Sequence, residues 1–180
     1  LLGNSVFQFS ITIGLFMFSM GVGSFITKHL DNNYVENFIA VEIAIAMVGG
    51  MSGVVLFTVF PFARIFYELT MYALIFAIGC LVGMEIPILT SLLSLQRSTK
   101  QTVADVMSFD YLGALIGSVA FPLLLLPSLG LLHSSFVIGL INALVAFSTL
   151  IIFRSMVPRF RFYMSLNAIV LAGLITFNAF

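Results

Sequence analysis

Six stretches of this chain, near residues 3–27, 36–60, 66–95, 103–126, 132–153 and 162–180, are almost wholly apolar for about 20 residues each. No other feature constrains the fold so tightly. A helix rises about 1.5 Å per residue, so about 20 apolar residues cross a hydrocarbon layer of about 30 Å. The runs therefore predict an all-α, polytopic transmembrane helix bundle of about six spanning helices, forming one domain over residues 1–180. Composition agrees: 61% of residues are hydrophobic and 8% charged, with a mean hydropathy of +1.20, whereas soluble domains are roughly 45–50% apolar. The polar stretches between runs, such as "TKHLDNNYVEN" and "PSLGLLHSS", are too short for a separate soluble domain.

The ends of the runs carry their own chemistry. The third run is longer than a span requires, which predicts tilt, a kink at Pro87, or an end emerging into water. Thr102 and Asp105 make a capping-box pattern, so a fourth helix is expected from Val103 to near Pro127, where proline interrupts the backbone ladder. Counted by alternate loops, Lys28, Arg97, Lys100, Arg154, Arg159 and Arg161 fall on one side and Arg64 alone on the other. The positive-inside rule makes the first side cytoplasmic, in what is expected to be a bacterial inner membrane. Leu1 is no initiator Met and no signal-peptide pattern precedes the first run, so the chain reads as a piece of something longer.

Several function classes find no support. Formal net charge is zero with no basic patch in the sequence, which argues against nucleic acid as a partner. Cys80 is the sole cysteine, and His29 and His133 fall in loops on opposite sides, so no metal site is expected. "GGMSG" lies within a run and lacks a following Lys, which makes it a packing surface rather than a phosphate loop. No nucleophile elbow is present. No catalytic residue and no cofactor is assigned to this chain.

Glu42, Glu85 and Asp110 are the acids inside the runs; Asp31, Glu36, Glu68 and Asp105 lie at or near run ends. A charged residue at the centre of a spanning helix costs about 2.5–3.5 kcal/mol on insertion scales, so all three should face protein or water. Small-residue faces accompany two of them: Glu42 with Ala46, Gly49 and Gly53, and Asp110 with Gly113, Ala114, Gly117 and Ser118. Their G-x-x-x-G spacing suits close helix packing, and Gly79 and Gly83 repeat it. Asn4, Gln8, Thr12 and Ser19 form a polar stripe on the first run, expected to line the same interior; Asn142 and Asn167 are expected to bond across helices.

No lysine or arginine lies inside a run, so each acid is protonated, paired with a base reaching in from a helix end, with Lys100 and Arg97 nearest in sequence, bound to a cation, or partnered by a segment outside this chain. Pro87 adds to the case for Glu85, because proline lacks the N–H that would bond the Gly83 carbonyl. A freed carbonyl beside a carboxylate suits a cation, and an ordinary proline kink with a hydrogen-bonded acid suits the residues equally well.

The strings "LLGNSVFQFSITIGLFMFSMGVGSF", "GMEIPIL", "VADVMSFDYLGALIGSVAFPLLLLPSLGLL" and "INALVAF" together resemble the N-terminal membrane region of the membrane-bound spermidine synthase family, the polyamine aminopropyltransferase-like proteins. The resemblance implies a seventh helix upstream. It also implies a downstream soluble domain that transfers an aminopropyl group from decarboxylated S-adenosylmethionine to putrescine. The glycine-rich nucleotide loop and acidic amine-binding residues of that domain have no counterpart here. The loop count puts Phe180 on the far side from the cytoplasm where such a domain is expected, so the two premises conflict.

The resulting expectation is a membrane domain that anchors an aminopropyltransferase and handles a polyamine or other organic cation at Glu42, Glu85 and Asp110, with Gln8, Gly83 and Pro87 in support and the lipid bilayer as partner. The rival class is a secondary transporter or transporter half, six helices in a 3+3 repeat. A third is a helix-packing module for a homo-oligomer.

Overall fold

The computed structural model describes residues 2–30, 32–61, 64–94 and 98–178, except for the side chains of residues 2–4 and 64. Its elements are α1 (Leu2–Ile26), α2 (Tyr34–Val59), α3 (Arg64–Ser94), α4 (Thr99–Ala120), α5 (Leu126–Ile152) and α6 (Phe160–Asn178), with no strand among the described residues. Short 3₁₀ turns, Thr27–His29 and Arg154–Met156, follow α1 and α5. Asn33 begins α2: its side chain accepts from the Glu36 backbone N–H and donates to the Glu36 carboxylate, satisfying an orphan donor of the first turn.

Five helical stretches, rather than six, are long and apolar enough to cross a membrane, because Thr99–Ile152 runs on as one stretch of 54 residues. A π-helical segment, Phe121–Leu125, joins α4 to α5. Neither proline ends the helix where the sequence suggests. Pro122 and Pro127 fall at the first positions of the π-helical segment and of α5, and the helix continues through both. The interruption comes instead at Gly130, whose φ of 72° and ψ of −177° no other residue adopts readily. The start of α4 differs too. Ser98 precedes the helix and Thr102 lies buried one turn inside it, its hydroxyl without a partner, so no capping box forms. α3 passes through Pro87 without ending.

The centre of the bundle is α2. Ile39, Ala46, Ala143, Ala146, Leu150 and Leu174 form a buried core where α2 meets α5 and α6, and Phe38, Val41, Ile45 and Ile88 form another between α2 and α3. α1 packs along α3 at near-backbone contact: a Cβ on Gly23 would strike the Cys80 carbonyl, and one on Gly83 would strike the Met20 backbone. The α2–α5 contact is comparably close, with a Cβ on Gly139 falling 2.8 Å from both the Ala46 oxygen and the Gly50 Cα. Small residues admit this approach, and dispersion between the backbones then holds the helices.

Two expected packing faces need correction. Gly53 packs against Ser135 and Leu132, but a Cβ on Gly49 would meet nothing within 4 Å; its neighbour Gly50 makes the close contact. Gly113 and Gly117 likewise have nothing within 4 Å, and α4 is exposed from Met107 to Val119. The reason is topological. α4 leans on α3 through its first two turns, where Thr102 and Val106 are buried, while α2 is already covered by α3, α5 and α6.

Candidate functional site: an acidic line across three helices

α2 begins, α3 ends and α4 begins at one end of the bundle, and the three internal acids lie at similar depths from that end. At about 1.5 Å per residue, Glu42 is about 12 Å in from Tyr34, Glu85 about 14 Å from Ser94, and Asp110 about 16 Å from Thr99. Adjacent helices thus carry one carboxyl each at nearly one level.

Glu42 is the deepest buried. Only 5% of it is exposed, and its Oε2 atom has no hydrogen-bond partner. Glu85 is half-buried and lines a cleft of about 360 Å³ between α3 and α4, together with Asp110 and Asp105. Ile86, Leu89, Leu93, Val106 and Phe109 complete the walls, with no lysine or arginine among the described lining residues. Glu85 shares the cleft with Asp110 and Asp105, and Glu42 is not among its lining residues. Low-dielectric walls strengthen repulsion among ionised carboxyls of one cleft, so an arriving cation would relieve it.

Among the described residues no three His, Cys, Asp or Glu side chains are placed to hold a metal ion. A row of separated carboxyls matches an extended ligand carrying several charges better than a point ion, which needs its oxygens converging at about 2–2.6 Å.

The remaining expected residues divide. Asp110 joins Glu85 in the cleft but is exposed, as is the rest of its helix face. Gly83 is pressed on Met20 of α1, and two residues turn an α-helix by about 200°, so it occupies the side of α3 away from Glu85. Pro87 lines a separate small cavity with Thr27, Leu30, Tyr34, Asn37, Ile88 and Ser91. Gln8 is exposed near the opposite end of α1, while Ser19 is buried and donates to the Leu15 carbonyl. The polar stripe therefore does not line one interior; the side chain of Asn4 and all of Asp31 and Arg97 lie outside the described residues. Asn167 is fully buried and donates across helices to the Ala143 carbonyl at 3.1 Å.

Asp105 is the cleft residue that sequence reasoning set aside, because a helix starting at Val103 would leave it at the end. With α4 starting at Thr99, it sits in the second turn beside the cleft. A second cavity of about 380 Å³ was also missed: Gly49 and Gly53 open it, and Ser52, Ser135 and Asn142 supply its polar groups. The seven-residue spacing of Ser135 and Asn142, two helical turns, was its readable signal.

Comparison with known proteins agrees with the resemblance. The chain is 42% identical over 146 residues to the polyamine aminopropyltransferase of Leptospira interrogans, covering 81% of this chain and 29% of that protein. It is 41% identical over 157 residues to polyamine aminopropyltransferase 2 of Ralstonia nicotianae, covering 86% and 31%, and 40% identical over 162 residues to polyamine aminopropyltransferase 1 of Streptomyces coelicolor, covering 88% and 30%. These similarities support the polyamine aminopropyltransferase family. The chain spans about a third of the length of the curated relatives it matches. No family model and no solved structure matches it.

Proposed function

We propose that this chain is the integral membrane domain of a spermidine synthase-like polyamine aminopropyltransferase, anchoring the enzyme and binding a polyamine at Glu42, Glu85 and Asp110. The single observation that carries the binding half is the cleft that Glu85, Asp105 and Asp110 line together with no described base in its walls. An alkyl diamine is the complementary shape: its ammonium groups neutralise separated carboxyls, and its methylene chain lies against Ile86, Leu89 and Val106. The names of the relatives supply the ligand class.

Anchoring rests on the five apolar helical stretches, the fourth of which crosses twice if Gly130 turns the chain back, making six spans. Lys28, Lys100, Arg154, Arg159 and Arg161 then share the cytoplasmic end with the acidic line. The transporter reading draws less support from the packing. A 3+3 repeat would reproduce the α1–α3 pair as α4–α6, whereas α4 leans on α3.

Calorimetric titration of the purified chain with putrescine and spermidine tests the site. Saturable binding is expected, weakened in each of Glu42→Gln, Glu85→Gln and Asp110→Asn; equal binding in all four proteins removes the proposal. Uptake of labelled polyamine into proteoliposomes would favour the transporter. A reporter fused after Phe180 reads the compartment of that end.

A further inference from the structure

The cleft lined by Glu85, Asp105 and Asp110 does not include the arginines at the α5–α6 corner. Arg154, Arg159 and Arg161 fall within eight residues of sequence, and the fold gathers them round a groove of about 500 Å³ whose other walls are Pro158, Phe160 and Phe162. The corner is built into the bundle: Val157, in its middle, is only 4% exposed and belongs to the core between α2, α5 and α6. Arg154 stacks over the Phe160 ring, 5.1 Å from its centroid, which orients the guanidinium while leaving its edge N–H groups available. Glu36 approaches Arg159 at 4.0 Å, and that arginine is still 75% exposed. Arg159 thus keeps most of its guanidinium open to a further anion.

We propose that this groove binds the phosphate headgroup of an anionic phospholipid. The inference rests on the membrane reading above, which puts the α5–α6 corner at the cytoplasmic surface, where headgroups lie. Guanidinium forks match phosphate oxygens in pairs, and basic pockets between helix ends on this side take anionic heads. Phe162, 59% exposed on the groove wall, offers the acyl-chain boundary an apolar surface.

The full chain in neutral detergent, mixed with phosphatidylglycerol and phosphatidylcholine, is read by native mass spectrometry for retained lipid. Phosphatidylglycerol should be retained preferentially, and Arg154→Gln with Arg161→Gln should lower its retention roughly 30-fold. Lys28→Gln with Lys100→Gln removes the same charge outside the groove and should leave retention unchanged. Arg154→Lys with Arg161→Lys keeps charge and fold but loses the forks, and should retain less than wild type. Equal retention of both lipids, equal losses in the two glutamine pairs, full retention by the lysine pair, or displacement by inorganic phosphate would each overturn the proposal. Resistance to alkaline extraction from membranes reads the underlying premise separately: a chain that resists extraction yet shows no headgroup preference defeats this inference alone.

Discussion

Replacing Glu42 with methionine should make the ligand-free protein more stable and the ligand-bound protein less so. Glu42 is 5% exposed, and its Oε2 has no hydrogen-bond partner. A buried polar group left unsatisfied costs about 1–3 kcal/mol, and a methionine of similar length removes that cost without opening a large cavity. With a polyamine at about 100 times its dissociation constant, the wild type should gain about 2.7 kcal/mol, a gain the variant largely forfeits. The two proteins should therefore exchange rank as amine is added. Thermal unfolding in detergent, followed by far-UV circular dichroism with and without spermidine, reads both effects in one series. Glu42→Gln, which keeps the shape but leaves a polar amide in the same buried place, should not share the methionine variant's gain. If Glu42→Met is less stable without amine, the carboxyl has a structural partner; if the variant gains as much from spermidine, Glu42 is no part of the site. Either result refutes the reasoning.

Other expectations concern the helices that position the acids. Gly139→Ala should destabilise by about 1–3 kcal/mol in the same melts, because its Cβ would meet the Ala46 oxygen and Gly50 Cα, which cannot rotate aside. Gly49→Ala, with nothing within 4 Å, should be neutral or slightly stabilising; similar losses at both positions would contradict the packing described. Gly130→Ala should cost about 1–3 kcal/mol from its φ of 72°, and a normal melting curve would place the chain break elsewhere. Asn167→Asp, which sets an acceptor against the Ala143 carbonyl in place of the donating amide, should destabilise by more than about 1 kcal/mol, the order of a lost buried hydrogen bond, measurable by reversible unfolding in mixed micelles.

How much of this was legible beforehand varies from residue to residue. Glu42 and Glu85 were conspicuous in sequence because a carboxyl in an apolar run demands an explanation, and both prove at least half-buried. Asn167 was legible for the same reason, and its bond crosses helices as expected. Asp105 was not legible, since its membership of the cleft depends on α4 starting at Thr99, within about one turn of where the capping pattern pointed. The glycines were legible as a class but not as individuals. Gly49 and Gly50 are adjacent, yet only Gly50 touches another helix, because a 100° step around a helix turns a contact into open space.

Sequence alone determined that the chain is helical, where most helices begin and end, and which acids require an account. These are local properties, set by apolar run length and by the cost of burying a carboxyl. Tertiary structure decided the rest. It joined α4 to α5 through a π-helical segment, left the Gly113–Gly117 face bare, and sent Gly83 to α1 rather than to Glu85. It also drew three arginines round one groove. The physical reason is that helix periodicity defines faces but not partners. Which face meets which is chosen by the few places where backbones can touch, Gly23 on Cys80 and Gly139 on Ala46 among them, and no single run of sequence contains both sides of such a contact.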